Sequence, residues 1–93
     1  EEIGCFAIVL EKIPATLASE ISRSIKIPVI GIGAGKNVDG QVLVTHDLIG
    51  LNSEFNPRFL RRYADMNKIM SDAIKNYIKD IKNLDFPNEK EQY

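Results

Sequence analysis

One carboxylate stands directly after an uninterrupted apolar run. The run covers residues 6–10, and Glu11 follows it. Such a run is typical of a strand that is buried on both faces of a parallel sheet, and catalytic groups lie just beyond the carboxyl ends of those strands. Because a carboxylate in that position is held away from water, Glu11 is suited to act as a general base. Two structural roles stay open at this point, since Glu11 could also cap the following helix or pair with Lys12.

A glycine cluster follows the second apolar run. Gly33 and Gly35 come directly after residues 29–32, and their backbone N–H groups can approach a ligand that side chains would block. Both are therefore candidate substrate-binding residues, and a tight turn is the alternative. The cluster does not open a long helix with the spacing G-x-G-x-x-G, so it is not a dinucleotide fingerprint.

Three further residues have side chains capable of chemistry. His46 and Asp47 could form an acid/base pair or bind a metal, but neighbours on an extended strand point to opposite sides, which favours a structural hydrogen-bonding role. Cys5 lies in the first apolar run and is expected to be a small core residue. A single cysteine forms no internal disulfide, which fits a reducing cytoplasm.

The first half of the chain predicts a βαβ unit. Pro14 suits the first turn of a helix, and the apolar residues that follow it recur every three or four positions: Leu17, Ala18, Ile21 and Ile25. Pro28 ends this helix, because the residue before a proline avoids helical angles, and residues 29–32 form the next strand.

The second half predicts one more strand and one long helix. Too few residues separate Gly33 from Gly40 for a helical crossover, so either a bare loop leads to a third strand over residues 41–45 or residues 42–44 belong to a short helix. Pro57 then opens a helix with an apolar stripe from Phe59 to Ile81 and a basic, solvated opposite face.

The composition excludes two classes of partner. With 44% hydrophobic and 27% charged residues, the chain is ordinary for a globular protein, and it has no apolar stretch near the ~20 residues that span a bilayer. Twelve basic and thirteen acidic residues give a net charge of −1, which provides no electrostatic footprint for nucleic acid.

Three ordered motifs resemble a known family. They lie at residues 9–14 (VLEKIP), 27–35 (IPVIGIGAG) and 39–50 (DGQVLVTHDLIG), and the match continues through residues 57–65 (PRFLRRYAD) and the tail at Phe86 and Pro87. In these motifs the chain resembles the ketopantoate hydroxymethyltransferases, and the resemblance extends over essentially all 93 residues.

The resemblance implies an α/β fold, the C-terminal portion of a (β/α)₈ TIM barrel of the phosphoenolpyruvate/pyruvate type. Strands six to eight and their helices would lie within residues 1–84, and residues 85–93 would form a charged tail. A closed barrel needs roughly 200 or more residues, so the chain is expected to be a piece of a larger domain. Glu1 to Gly4, which resemble the last turn of a helix, suggest the same.

The resemblance also implies an activity. Family members transfer a hydroxymethyl group from methylenetetrahydrofolate to 3-methyl-2-oxobutanoate, giving 2-dehydropantoate, in the cytoplasm and as large homo-oligomers, decamers in the family. Glu11 matches the glutamate that removes the C3 proton, while Mg²⁺ polarises the keto acid. The Mg²⁺ ligands and most substrate contacts are expected outside this chain, so the chain alone is predicted to be inactive. A related keto-acid lyase or transferase and a non-catalytic remnant are the alternatives.

Overall fold

The protein consists of a small three-stranded parallel sheet and three helices. The computed structural model describes residues 1–93. Its elements, in chain order, are β1 (Ile8–Glu11), α1 (Ala15–Ser24), β2 (Val29–Ile32), β3 (Gly40–Gln41), α2 (Thr45–Leu48) and α3 (Met66–Lys82).

The predicted βαβ unit is confirmed. β1 and β2 are parallel neighbours, and their register places Ile8 opposite Val29 and Glu11 opposite Ile32. The predicted bare loop is also confirmed, because β2 pairs in parallel with β3 although no helix lies between them. The order of the sheet is β1-β2-β3.

Helix α1 covers only part of this sheet. Pro14 is its N-cap, no side chain caps that end, and no acidic residue lies in its first turn. Ala18 and Ser19 are buried where α1 packs against β2. Leu17, on the predicted apolar stripe, is still 45% exposed, because α1 does not extend over β1.

The prediction that the first run is buried on both faces is wrong for this chain. Ile8 and Val9 are exposed, and Phe6 lies before the strand with 88% of its surface in solvent. Cys5 is likewise exposed and precedes β1, so it is not a core residue. The physical reason is that β1 is an edge strand without a covering helix.

The third strand is shorter than predicted. It contains only Gly40 and Gln41. Val42 still donates its amide to the Gly31 carbonyl at 3.0 Å, but β2 ends one residue later, so residues 43–45 have no strand to pair with. Residues 42–44 are neither strand nor helix, and Thr45 begins α2.

The long helix begins at Met66, not at Pro57 as the apolar stripe predicts. The side chain of Asp65 caps it by accepting the amide of Lys68 at 3.2 Å. Upstream of the cap, the Tyr63 amide donates to the Leu48 carbonyl at 2.8 Å. An amide that bonds to a distant carbonyl is not available to an i−4 ladder, so a helix that began at Pro57 would be interrupted at Tyr63.

One of the predicted surface cations has a structural role. Arg62 donates from its guanidinium to three backbone carbonyls, those of Asn52 at 2.9 Å, Ser53 at 3.2 Å and Phe55 at 2.7 Å. A planar guanidinium suits several acceptors at once. Arg62 therefore closes the loop between α2 and α3.

Helix α3 has an amphipathic sequence, and little packs against its apolar stripe beyond Phe86, whose ring centroid lies 5.6 Å from that of Tyr77. Its stripe is exposed along its length, at Ile69, Met70, Ile74, Tyr77, Ile78 and Ile81. None of the helices combines the length and the apolarity needed to cross a membrane. After α3, residues 85–93 form no helix or strand, and the boundary of a tail at residue 85 stays a prediction.

The chain as a whole buries little surface. Six of its 93 residues are buried, and the largest of these is Val29. Its radius of gyration is 21.9 Å, whereas a compact domain of this length has about 12 Å. The secondary structure is therefore held mainly by backbone hydrogen bonds and local contacts.

Backbone hydrogen bonds join α2 to α3 in what we call the α2–α3 joint, formed by residues 48–51 and 63–67. The amides of Met66 and Asn67 donate to the Ile49 and Gly50 carbonyls, both at 3.0 Å. The Asn67 side chain adds a bond to the Leu51 carbonyl at 3.1 Å. Gly50 is buried in this joint with φ +71°.

Gly50→Ala should open the α2–α3 joint. A Cβ at Gly50 would collide with the Ala64 carbonyl oxygen, and its positive φ adds strain, a combined cost of about 3 kcal/mol. Hydrogen exchange at the Tyr63, Met66 and Asn67 amides should accelerate accordingly. Gly4→Ala is the matched control, because Gly4 also has positive φ but nothing within 4 Å. Equal protection of the three amides in both variants would contradict the collision.

The ion pair of α3 gives a pH dependence with a defined sign. Lys68 Nζ lies 2.6 Å from Asp72 Oδ2, and this hydrogen bond and the attraction between the charges raise the pKa of Lys68 and lower the pKa of Asp72. The contribution of Asp72 to helix stability should therefore be present above its ordinary pKa of 3.8 and be lost as the pH falls below it. The contribution of Lys68 should be lost above 10.5.

Circular dichroism of α3 helicity against pH checks this expectation. Asp72→Asn should remove the difference between pH 3 and pH 6 that the pair causes, and added salt should shrink it in the parent chain. If the helicity of Asp72→Asn still falls between pH 6 and pH 3, other groups cause that fall.

Candidate functional site

The parallel ladder brings Glu11 and the glycine cluster to one edge of the sheet. Glu11 is the last residue of β1 and lies opposite Ile32, the last residue of β2. The Lys12 amide then donates to the Ile32 carbonyl at 2.8 Å, and Gly33 follows directly. The carboxylate and the first glycine of the turn are thus neighbours at the carboxyl ends of the strands.

The surroundings of Glu11 differ from the predicted ones. Glu11 is exposed, so the predicted exclusion of water is wrong for this chain, because nothing covers β1. Neither structural alternative is found. The N-cap of α1 has no side-chain hydrogen bond, and the chain's one ion pair joins Lys68 to Asp72, not Lys12 to Glu11. The role of Glu11 as a base stays a prediction.

Lys12 has a backbone conformation that is unusual for its type. Its φ is +51°, in the left-handed region that costs a residue with a Cβ roughly 1–2 kcal/mol. The strand has ended at Glu11, so Lys12 is not placed by strand alternation. The bond from its amide to Ile32 holds this conformation.

Steric contacts explain why two positions of the turn are glycine. Gly33 has φ +67°, and a Cβ there would lie 2.9 Å from the Phe59 ring. Gly35 has φ +82°, and its Cβ would lie 2.5 Å from the Ala15 Cβ. The tight-turn alternative therefore accounts for both glycines, and their substrate-binding role stays a prediction.

Two side chains that sequence reasoning missed hold the turn in place. Gln41 donates from Nε2 to the Gly35 carbonyl at 2.8 Å. The Asp39 carboxylate accepts the Val29 amide at 2.8 Å and the Ser22 hydroxyl at 3.4 Å. It thus fastens the end of the loop to the start of β2 and to α1. The signal for it was an aspartate directly before Gly40, a turn sequence whose acid often bonds to backbone.

The turn forms one wall of an open cavity with a volume of about 1010 Å³. Gly33, Gly35 and Phe59 line it, together with the three cations Lys12, Lys36 and Arg58. Glu11 is adjacent to the cavity but does not line it. Arg58 belongs to the basic, solvated face of the helix that was predicted to begin at Pro57, and no sequence pattern singled out Lys36.

His46 and Asp47 are not brought into this site. They lie in the short helix α2 and not on an extended strand, so the alternation argument does not apply to them. Their side chains make no hydrogen bond, and the structural hydrogen-bonding role favoured for them is wrong. No group of three His, Cys, Asp or Glu side chains lies close enough to hold a metal ion. The residues of this chain therefore do not fit a Mg²⁺ site.

A comparison with protein-family models gives a match that covers every residue of this site. The family model of ketopantoate hydroxymethyltransferase matches residues 1–89. The chain belongs to the ketopantoate hydroxymethyltransferase family. The resemblance to this family is thus confirmed.

Curated relatives carry the corresponding name, 3-methyl-2-oxobutanoate hydroxymethyltransferase. The relative from Bacteroides thetaiotaomicron is 67% identical over all 93 residues, that from Parabacteroides distasonis 63% and that from Christiangramia forsetii 63%. In each case the match covers 34% of the relative. The chain spans about a third of the length of the curated relatives it matches.

For this member of the ketopantoate hydroxymethyltransferase family, Gly35→Ala should distort the turn through Ala15. The new Cβ would meet Ala15 Cβ at 2.5 Å, at a cost of about 2–4 kcal/mol with the backbone strain. The double variant Gly35→Ala/Ala15→Gly removes that contact and should recover about half of the loss. Protection of the Gln41 side-chain amide from exchange reports the state of the turn. If the double variant recovers none of the lost stability, the whole cost comes from backbone strain at residue 35.

Proposed function

We propose that a polypeptide containing this chain transfers a hydroxymethyl group from methylenetetrahydrofolate to 3-methyl-2-oxobutanoate, giving 2-dehydropantoate. The observation that carries the proposal is the family match over residues 1–89, together with relatives at 60–67% identity that bear the name of this activity. The position of Glu11 at the carboxyl edge of the sheet adds to it.

In the proposed reaction Glu11 acts as the general base. Its carboxylate takes the proton from C3 of the keto acid, and the electron pair of that C–H bond moves into the enolate. C3 then forms a carbon–carbon bond with the methylene carbon of the folate. Both bonds from that carbon to folate nitrogens break, and water supplies the hydroxyl group. The second proton of the water and the proton taken from C3 go to the two nitrogens, and tetrahydrofolate leaves. The exposed carboxylate of Glu11 is free of any ion pair, so it is available as a proton acceptor.

The proposal requires residues beyond this chain. The family's Mg²⁺ would have to be held elsewhere, because no group of three possible ligands lies in these residues. None of the steps that we propose for this chain therefore involves the ion, and we expect the chain alone to be inactive.

The uncovered surfaces fit the same proposal. Ile8 and Val9 of β1 and the stripe of α3 are exposed and apolar, and an unpaired edge strand with apolar side chains associates readily with other strands. In a closed (β/α)₈ barrel such strands are paired on both edges and covered by helices. We propose that this chain supplies strands six to eight of such a barrel, in a cytoplasmic homo-oligomer whose further residues exclude water from Glu11.

Deuterium exchange at C3 of 3-methyl-2-oxobutanoate tests the role of Glu11. The protein to use is a fusion of this chain to the part of the Bacteroides thetaiotaomicron relative that it does not cover, with Mg²⁺ and without folate. Glu11→Gln keeps the shape of the side chain but removes the base, so exchange should fall by about 100-fold or more. Glu20→Gln, on the exposed face of α1, is the matched control and should exchange normally.

The outcomes separate the alternatives. Exchange in the fusion, and not in the isolated chain, would support an enolising transferase to which this chain contributes the base. Normal exchange in Glu11→Gln would remove Glu11 from the mechanism. A folded fusion without any exchange would favour the non-catalytic alternative.

A further inference from the structure

A long loop connects α2 to α3 and is held together by its own side chains. Residues 49–65 form neither helix nor strand, and irregular segments of that length usually have a function. The Asn52 side chain accepts the amides of Glu54 and Phe55 at 3.1 and 3.3 Å. The loop therefore has a defined backbone although most of its residues are exposed.

The guanidinium of Arg62 closes this loop into a ring. Its bonds to the carbonyls of Asn52, Ser53 and Phe55 join the end of the loop to its start. Closing a segment reduces the number of conformations that the residues inside it can adopt. Arg62 therefore restricts residues 56–61, which lie inside the ring.

Phe59 lies within that restricted segment, in a tight turn. The Leu60 amide donates to the Pro57 carbonyl at 3.0 Å, which makes Phe59 a central residue of the turn. The Phe59 ring lies against Gly33, where a Cβ would come within 2.9 Å of it. The loop thus contacts the glycine turn that follows β2.

One backbone hydrogen bond connects Gly33 to the proposed base. The Lys12 amide donates to the Ile32 carbonyl at 2.8 Å. Gly33 directly follows that carbonyl, and Glu11 directly precedes that amide. A displacement of Gly33 would therefore move the carbonyl to which the end of β1 is bonded.

We propose that Arg62 is a positioning residue for the proton transfer at Glu11, and this inference rests on the proposed function. The Arg62 guanidinium fixes the loop that holds Phe59 against Gly33. Gly33 in turn fixes the end of β2, on which the backbone position of Glu11 depends. Arg62 thus acts through Phe59 and not through contact with the reacting atoms.

Rates of C3 deuterium exchange in the fusion protein test this inference. Arg62→Ala should lower the maximal rate by about 10-fold, because small displacements of a catalytic group are costly. The KM for 3-methyl-2-oxobutanoate and the pH of half-maximal rate should not change, because the guanidinium is bonded to loop carbonyls and not to the Glu11 carboxylate. Arg61→Ala is the matched control and should exchange normally, since Arg61 is an exposed neighbour without these bonds.

A double variant shows whether Arg62 acts through Phe59. Phe59→Ala removes the ring but leaves the bonds of Arg62, and it should lower the exchange rate by a similar factor. Arg62→Ala/Phe59→Ala should be no slower than the slower single variant, because residues that act through one contact are not additive. Losses that multiply, or a normal rate in Arg62→Ala, would overturn the inference.

Chemical rescue separates positioning from a general loss of structure. Guanidinium at low concentration should restore part of the rate of Arg62→Ala but not that of Phe59→Ala, and sodium chloride at the same ionic strength should restore neither. Equal rates of Arg62→Ala in the two salts would overturn the positioning role, because the exposed site is accessible to the ion. If Arg62→Ala does not fold, Arg62→Lys takes its place, since lysine keeps the charge but lacks the planar group. A parental rate in Arg62→Lys would overturn the inference.

Hydrogen exchange at the Lys12 amide gives a readout that does not depend on activity. In the fusion protein it should accelerate in both Arg62→Ala and Phe59→Ala and stay unchanged in Arg61→Ala. Acceleration at Lys12 in a protein whose parent shows no C3 exchange would overturn the proposed base alone. Normal protection of Lys12 in both variants, with C3 exchange in the parent, would overturn the positioning role alone.

Discussion

The parallel pairing of β1 with β2 is the constraint on which the rest of the site depends. Parallel strands end at the same edge, so the register that sets Glu11 opposite Ile32 also decides which turn lies next to the carboxylate. A slip of one residue would move Glu11 away from Gly33 and reverse the face to which every strand side chain points. The Asp39 carboxylate secures this arrangement by accepting the first amide of β2.

The backbone of this chain is well hydrogen-bonded although few of its residues are buried. The strands, the turn and the α2–α3 joint are well hydrogen-bonded, yet only six of 93 residues are buried. In a compact domain the burial of apolar surface makes the dominant contribution to stability. In this chain little apolar surface is buried. The apolar side chains of β1 and α3 therefore form a surface to be buried against other polypeptide.

Prediction from the sequence succeeded where local rules decide the outcome. The bounds of β2, Val29–Ile32, followed from a proline and glycines, and the bare loop after it was one of the two arrangements that the spacing of the glycines allowed. The carboxyl-edge position of Glu11 followed from the same βαβ logic. These features depend on residues within a few positions of one another.

Prediction failed where distant backbone groups compete. The apolar stripe extends upstream of Met66, but the Tyr63 amide bonds to Leu48, and hydrophobic periodicity contains no information about that bond. The prediction that β1 is buried failed for a related reason. An apolar run shows that a strand can be buried, but it does not show which element covers the strand. The Lys12, Lys36 and Arg58 cluster was missed because each lies next to a different element and only the fold brings them together.

The attachment of α3 has a consequence for how such a sequence can vary. Helix α3 contains 17 residues and is about 25 Å long, but its connection to α2 is made of main-chain amides and carbonyls around a single glycine, with one added bond from the Asn67 side chain. Main-chain groups are the same for almost every residue type, so the direction in which the helix departs does not depend on the side chains of its apolar stripe. The apolar stripe is thus free to change with whatever it packs against, while Gly50 preserves the angle.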